Sequence, residues 1–343
     1  MGKLPSFENQ IENADKLAAE VRSDADHCAA FLNQVARQFS GHGTEVGETD
    51  FQEEEPRFQA FERCRDAFDL LLAKLVLHLE QATTDVSAEL DNARSLTLRE
   101  KIAGLLSRKR MWRIHADRVR EAPVIGRLLD LLAQSNSLAG LVNEHRSFLQ
   151  HSHRMSEADL VAIVEHRRHL VSSIDIAHIR IKELRAKALN TEGRIGLYGG
   201  RGERERLEQE RIELVAEVGR ISAEEERLRE ASRHHERFIG MFQVFVDGLN
   251  DQIGVCNAII RKLMIDTEER LILYRSQVGK EALDSSSGSR PGYAHIADLM
   301  KLLDQNMLVP QELERRKSLA NGAFKKRFPA FAKPQSNADA PVF

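Results

Sequence analysis

At 343 residues the chain is long enough for one large or two medium domains, so core size does not limit its stability. Charged residues make up 30 % and aromatics 6 %, a balance that suits long amphipathic helices and argues against a sheet-based enzyme core. With 50 basic and 53 acidic residues the net charge is −3, which excludes a global field for nucleic acid or an anionic membrane and leaves only local patches.

The first predicted helix covers about Phe7–Phe39. Its seam, Ile11, Ala14, Ala18, Val21, Ala25, Cys28, Leu32, Val35 and Phe39, alternates steps of three and four, and its alanines imply close approach to a neighbour. Gly41-His42-Gly43 ends it, Gly47 to Glu55 reads as an acidic loop, and Pro56 suits the first turn of a second helix. That helix carries Phe58, Phe61, Arg65, Phe68, Leu72, Leu75, Leu79, Ala82 and Val86 and fades near Asp91. A third is expected over about Leu98–Val119 and, after a break at Pro123, a fourth over about Val124–Leu149. Ser156 then reads as the N-cap of a fifth helix, with Asp159 placing negative charge in its first turn. The seam of this fifth helix is Leu160, Ile163, Arg167, Leu170, Ile174, Ala177, Ile181, Leu184 and Ala188. Five glycines between Gly193 and Gly202 predict an interruption.

The long helix that follows, about Glu203–Val278, would extend about 110 Å at 1.5 Å per residue. From Leu207 to Leu263 it holds one heptad register of seventeen positions, thirteen of them apolar. The exceptions concentrate at Glu225, Ser232 and His235, whereas every position from Ile239 to Leu263 is apolar. This unevenness places the Ile239–Leu263 half inside a multi-helix body. It pairs the first half with the fifth helix as a two-stranded antiparallel arm, which needs only a narrow stripe. A flexible linker over 284–292 contains the run Ser285 to Ser289. Short helices near Tyr293–Asp304 and Pro310–Arg327 and a disordered tail complete the chain.

The expected fold is therefore all-α: an elongated antiparallel helical bundle with a projecting two-helix coiled-coil arm and a small C-terminal helical hairpin. The body takes residues 1–155, the arm 156–238 with its tip at 193–202, and the continuing long helix 239–283. The linker, hairpin and tail take 284–292, 293–328 and 329–343.

Residues Ile296 to Lys317 read Ile-Ala-Asp-Leu-Met-Lys-Leu-Leu-Asp-Gln-Asn-Met-Leu-Val-Pro-Gln-Glu-Leu-Glu-Arg-Arg-Lys. This segment resembles the short C-terminal domain (SHOCT) hairpin of bacterial proteins. Asn306 suits the left-handed C-cap position that is usually glycine, Leu308 staples the turn, Val309 stands where a threonine N-cap is usual, and Pro310 opens the second helix. The resemblance implies a bacterial origin and an oligomerisation or docking module.

Histidines concentrate between His145 and His178, with His166 and His169 three apart on one helix. Their surroundings, Glu-His-Arg-Arg-His, match no zinc motif, and two arginines repel a cation, so they are read as surface or helix-end histidines. The glycine segment lacks the Lys-Ser/Thr of a phosphate loop and follows a helix, so it is read as a hairpin tip. Apolar Ile195, Leu197 and Tyr198 at that tip are a candidate contact for a partner or a lipid. Basic residues cluster in two places. Arg99 to Arg120 holds eight around Trp112, and the C-terminal region holds Arg315, Arg316, Lys317, Lys325, Lys326 and Arg327 interleaved with phenylalanines. Such patches suit solvated helix faces or contacts with a partner, anionic lipid or single-stranded nucleic acid.

No nucleophile, triad, carboxylate pair or metal cluster stands out, so no catalytic, cofactor or metal residue is assigned, and no small-molecule substrate is expected. Three scattered cysteines, Cys28, Cys64 and Cys256, suit a reducing cytosol. The first residues show no signal-peptide pattern, and Phe238–Ile265 is interrupted by four charges, so a cytoplasmic location, or one peripheral to a membrane, is expected. The leading expectation is a non-enzymatic scaffold or assembly factor that binds protein partners or itself as a homo-oligomer. The alternative is a membrane-acting helical protein, either a peripheral binder or a pore-former, and the third reading is nucleic-acid binding through the basic patches.

Overall fold

The computed structural model describes residues 6–39, 48–94, 97–108, 111, 114, 124–197, 200–286 and 310–331. Among these residues the protein is an all-α helical bundle without strands. Its helices are α1 (Phe7–Phe39), α2 (Glu48–Arg94), α3 (Leu98–Leu106), α4 (Val124–Leu197), α5 (Arg201–Ser286) and α6 (Pro310–Arg327), with a 3-10 turn at Pro329–Phe331. The long helices α4 and α5 pack antiparallel.

The helix ends show how local chemistry and packing divide the work. Ser6 caps α1 by accepting the Asn9 N–H at 3.3 Å. Thr97 and Glu100 form a reciprocal capping box that opens α3. α2, by contrast, starts at Glu48 and not at Pro56, so the expected acidic loop is helical from that residue on. An exposed proline inside a helix removes one backbone hydrogen bond and costs about 3 kcal/mol. Only the Leu98–Leu106 part of the expected third helix is an element of the structure. Most of 107–123 lies outside the described residues.

The expected fourth and fifth helices are one. α4 runs without a break through Ser156, which is buried inside it and is not a cap. Leu149, Ser152, Ser156, Leu160 and Ile163 follow one another at steps of three or four, all buried, so two small hydroxyls occupy core positions along a continuous seam. α4 also continues through Gly193 and Gly196 to Leu197, and α5 already includes Gly202. The interruption is thus narrower than 193–202. Each glycine costs a helix about 1 kcal/mol, and pairing across to α5 outweighs it. At the other end, α5 continues to Ser286 and takes in the first residues of the expected linker.

The chain forms two compact units. Unit 1 comprises Met1–Arg22, Arg63–Gln150 and Asp251–Phe343, and unit 2 comprises Ser23–Glu62 and His151–Asn250. In unit 1, α4 meets α5 at Ser135–Thr267 (2.8 Å) and Arg146–Asn257 (3.2 Å). α6 packs on α5 here. Lys262 donates to Asn321 at 2.7 Å, Arg316 pairs with Glu268 at 3.2 Å, and Lys317 pairs with Glu269 at 2.8 Å. Arg327 pairs with Asp251 and lies across Gly254, where an added Cβ would collide with its guanidinium. The second helix of the expected C-terminal hairpin is therefore seated on its own chain. The first helix and the rest of the linker lie outside the described residues, as do 332–343 of the expected tail, whose first three residues form the 3-10 turn.

In unit 2, aromatic rings of α1, α2 and α5 make the core. Phe31 touches Phe58, Phe238 and Phe242, and Phe245 stands edge-on to Phe58 and Phe61. Asn33 of α1 donates to Asp159 of α4 at 2.9 Å. The expected arm segment 156–238 falls wholly in this unit, with 23–62 and 239–250 around its root.

Candidate functional site

The α4·α5 pair of unit 2 is built on its seams. On α4, no position from Leu160 to Ala188 in the expected seam is exposed, and on α5 none of the seventeen from Leu207 to Leu263 is. Side-chain partners run in opposite directions along the two helices. His166 meets His235, Arg167 meets Glu236 at 3.1 Å, His178 meets Glu225 at 3.5 Å, and Glu192 meets Arg211 at 3.7 Å. Each of these contacts sets a seam residue of one helix beside a polar residue that flanks the seam of the other. Glu225 is buried and accepts from Arg229 of its own helix at 2.5 Å, with His178 of α4 beside it. In this register Glu225 lies beside His178, whereas a shift by one heptad would set it near Val171 or Arg185 instead.

At the root, Phe39 of α1 stacks on His235, with ring centroids 3.5 Å apart and planes 23° apart, and His166 stacks beyond it. His235 Nδ1 lies 2.6 Å from the Ala231 carbonyl, so it carries the proton and donates there. Its Nε2 is left to accept from His166 Nδ1 at 3.1 Å. Burial holds the pKa of both rings below the ordinary histidine value, with neighbouring positive charge acting in the same direction. A neutral, stacked, mutually hydrogen-bonded pair is a structural joint. Among the described residues no group of three or more His, Cys, Asp or Glu is arranged to hold a metal ion.

The residues expected at the tip part company. Ile195 continues the α4 seam (Ile181, Leu184, Ala188, Thr191, Ile195) and is half-buried. Leu197 is 85 % exposed, and Tyr198 lies outside the described residues. Three further aliphatic side chains in the distal part of the pair face solvent: Leu189 at 69 %, Ile212 at 57 % and Val215 at 55 % exposure. The Glu192–Arg211 contact puts Leu189, Ile212 and Val215 at one height along the pair.

The C-terminal cations are also divided. Arg316, Lys317 and Arg327 fasten α6 to α5, and Arg315 pairs with Glu312 of its own helix at 2.7 Å. Lys325 and Lys326 are exposed and make no ion pair among the described residues. In the other patch α3 exposes Ile102 and Leu105 beside Arg99 and Lys101.

Unit 1 buries a run of ionisable groups on α5, and it also buries His145, expected at the surface or a helix end. Lys262, Asp266 and Arg270 follow at i, i+4 and i+8 on α5. Lys262 lies 3.1 Å from Glu80 and 3.4 Å from Asp266, and Arg270 donates to Thr83 at 2.7 Å. Nearby, His145 is buried edge-on to Phe68, and burial pushes its pKa down to about 4. Gln252 reaches Asp69 at 3.5 Å, and burial pushes that carboxyl up to about 7. Cys28 and Cys256 are buried thiols held up at about 12 by the same cause, which makes them inert packing groups and not nucleophiles.

One concave surface has the scale of a docking site. In unit 2, α2 and α5 frame an open groove of about 680 Å³ with Phe58, Phe61, Met241, Val244 and Phe245 along it. The heptad register passed over it because Met241 and Val244 fall between seam positions. The available signal was the extra apolar residues beside the seam, which widen the stripe to a second face. No family model matches the chain, and no curated protein or solved structure matches it either.

Proposed function

We propose that the protein is a non-enzymatic helical scaffold that holds other proteins, or copies of itself, against the distal end of the α4·α5 pair. The carrying observation is that end. The seams are consumed inside the chain, yet Leu189, Leu197, Ile212 and Val215 remain more than half exposed. Single exposed aliphatics are ordinary, and Val161, Ile176 and Ile179 also stand exposed along α4, but at the distal end both helices contribute them, which supports a contact surface there. The buried thiols and the neutral histidine pair favour this reading over chemistry, because each is spent on packing. The Phe238–Ile265 segment lines the cores of the two units, and no described helix is long and apolar enough to cross a membrane.

The test is photo-cross-linking of the full chain in cells of its source, with a photoreactive side chain at Leu197 or Ile212 and a control at exposed Asp15. The reading expects protein adducts of discrete mass from the two arm positions and none from the control. Absence of adducts at both arm positions, or the same adducts from the control, would overturn it.

A further inference from the structure

The groove of unit 2 has features that the arm does not share. Along α2 its lining residues Gln52, Glu55, Gln59 and Glu62 advance by three, four and three, one face of the helix. Along α5 the matching edge runs from Glu236 to Phe245. Ten residues of helix extend about 15 Å, roughly three turns, which is the footprint of a docked helix. Phe58, Phe61 and Phe245 are buried rings that form a fixed floor, and Val244 stands 56 % exposed above it. Gly240 opens the wall, since an added Cβ there would meet nothing within 4 Å. A helix presenting large side chains at i, i+3, i+4 and i+7 would find both a hydrophobic floor and clearance for its backbone.

The rim sets the sign of the occupant. Three carboxylates, Glu55, Glu62 and Glu236, line the groove against one guanidinium, Arg237. Glu236 is already paired with Arg167 of α4. Glu55 and Glu62 make no ion pair among the described residues, and they stand two helical turns apart on the same edge. An apolar floor between acidic edges complements an amphipathic helix whose apolar face is flanked by lysine or arginine. It does not suit anionic lipid or nucleic acid, which the same carboxylates repel. The opening along one side also suits a helix better than an enclosed small molecule.

We infer that the α2–α5 groove of unit 2 is a docking site for a basic amphipathic helix of a partner protein, with Met241 and Val244 meeting its apolar face above the floor of Phe58, Phe61 and Phe245, and Glu55 and Glu62 pairing with its cations. This deepens the scaffold reading by giving it a second contact of stated chemistry, and it rests on that reading. Its failure is separable, because the cross-linking test concerns the distal end of the arm and the groove test does not.

The experiment uses the full chain and a fluorescein-labelled amphipathic peptide about 18 residues long, with leucine and phenylalanine on one face and lysine on its flanks. The same peptide with glutamate in place of lysine is the control. Fluorescence anisotropy should show saturable binding of the lysine peptide. Binding should weaken tenfold or more for the double variant Glu55→Lys/Glu62→Lys and for Val244→Arg, whose side chains are at the surface and leave the fold intact by circular dichroism. The glutamate peptide should bind at least tenfold more weakly than the lysine peptide. No binding, equal binding of the two peptides, or binding unchanged in both variants would overturn the inference. Sedimentation velocity on the chain alone supplies the remaining arm. Concentration-dependent association abolished by Glu55→Lys/Glu62→Lys would assign the groove to a second copy and overturn a separate partner. A monomer with and without the substitutions, together with peptide binding, supports it.

Discussion

Asp266 sits between two buried cations on α5, and its environment decides what its removal would do. Lys262 and Arg270 flank it one turn away on either side, and burial, against the pull of both cations, raises its pKa. Arg270 is fully buried, its two terminal nitrogens have no hydrogen-bond partner among the described residues, and Asp266, Glu269, Glu80 and the Thr83 hydroxyl together offset its desolvation. Asp266→Ala is expected to destabilise the fold by about 3 kcal/mol, whereas Arg270→Met, which removes the costly charge, should cost less than half as much. Urea unfolding of the two variants checks the order, and a larger loss for Arg270→Met would contradict it.

The pair Asp69 and His145 gives opposite pH dependences. Asp69 is raised from 3.8 to about 7, so the folded chain keeps a proton that the unfolded chain has lost. Its contribution is fully present below about pH 4 and is lost as pH rises to about 7. His145 is lowered from 6.5 to about 4, so its contribution is present above about pH 6.5 and lost as pH falls through 4. Asp69→Asn abolishes only the first of these. The variant should therefore gain stability relative to the parent between about pH 4.5 and 7.5. A difference that stays constant over that range would show that Asp69 ionises normally.

At the scale of elements, heptad spacing was the legible part. The bounds of α1 and α6 and the pairing of α4 with α5 follow from seams and caps that the sequence displays. Boundaries set by tertiary packing were not legible. Pro56 looks like a helix start and Ser156 like a cap, because in isolation those are their cheapest roles, and only the buried neighbours of α4 show Ser156 as a core position. The same holds for the candidate contacts. Leu197 was visible as an apolar residue beside glycines, while the groove showed in α5 only as apolar residues beside the seam and needed α2 brought against it.

The uneven seam of α5 also predicts uneven stability. Leu249 is fully buried in a multi-helix core, whereas Leu214 is half-buried between two helices only. Leu249→Ala should cost about 2–5 kcal/mol and Leu214→Ala about 1 kcal/mol or less. Hydrogen exchange should show amides of 207–228 exchanging before those of 246–263, and uniform protection along α5 would refute this. Gly254→Val should displace the Arg327 guanidinium and break its pair with Asp251 while leaving the exchange of α4 unchanged.

For the whole molecule, the α4·α5 seams close within the chain, while Leu189, Leu197, Ile212 and Val215 stay outside them. Each unit has its own core, aromatic in unit 2 and threaded by buried charges in unit 1. If the α4·α5 seam instead closed between chains, the exposed aliphatics and the groove would be remnants of an oligomer and not contacts of a scaffold. The direct measurement introduces cysteines at His178 and Glu225, the facing polar positions, in a full chain carrying Cys64→Ser. A short bis-maleimide is then applied at low protein concentration. A link mapped within one chain, at monomer mass on a denaturing gel, is the predicted result. Linked dimers in place of it, or no link between 178 and 225, would contradict the account.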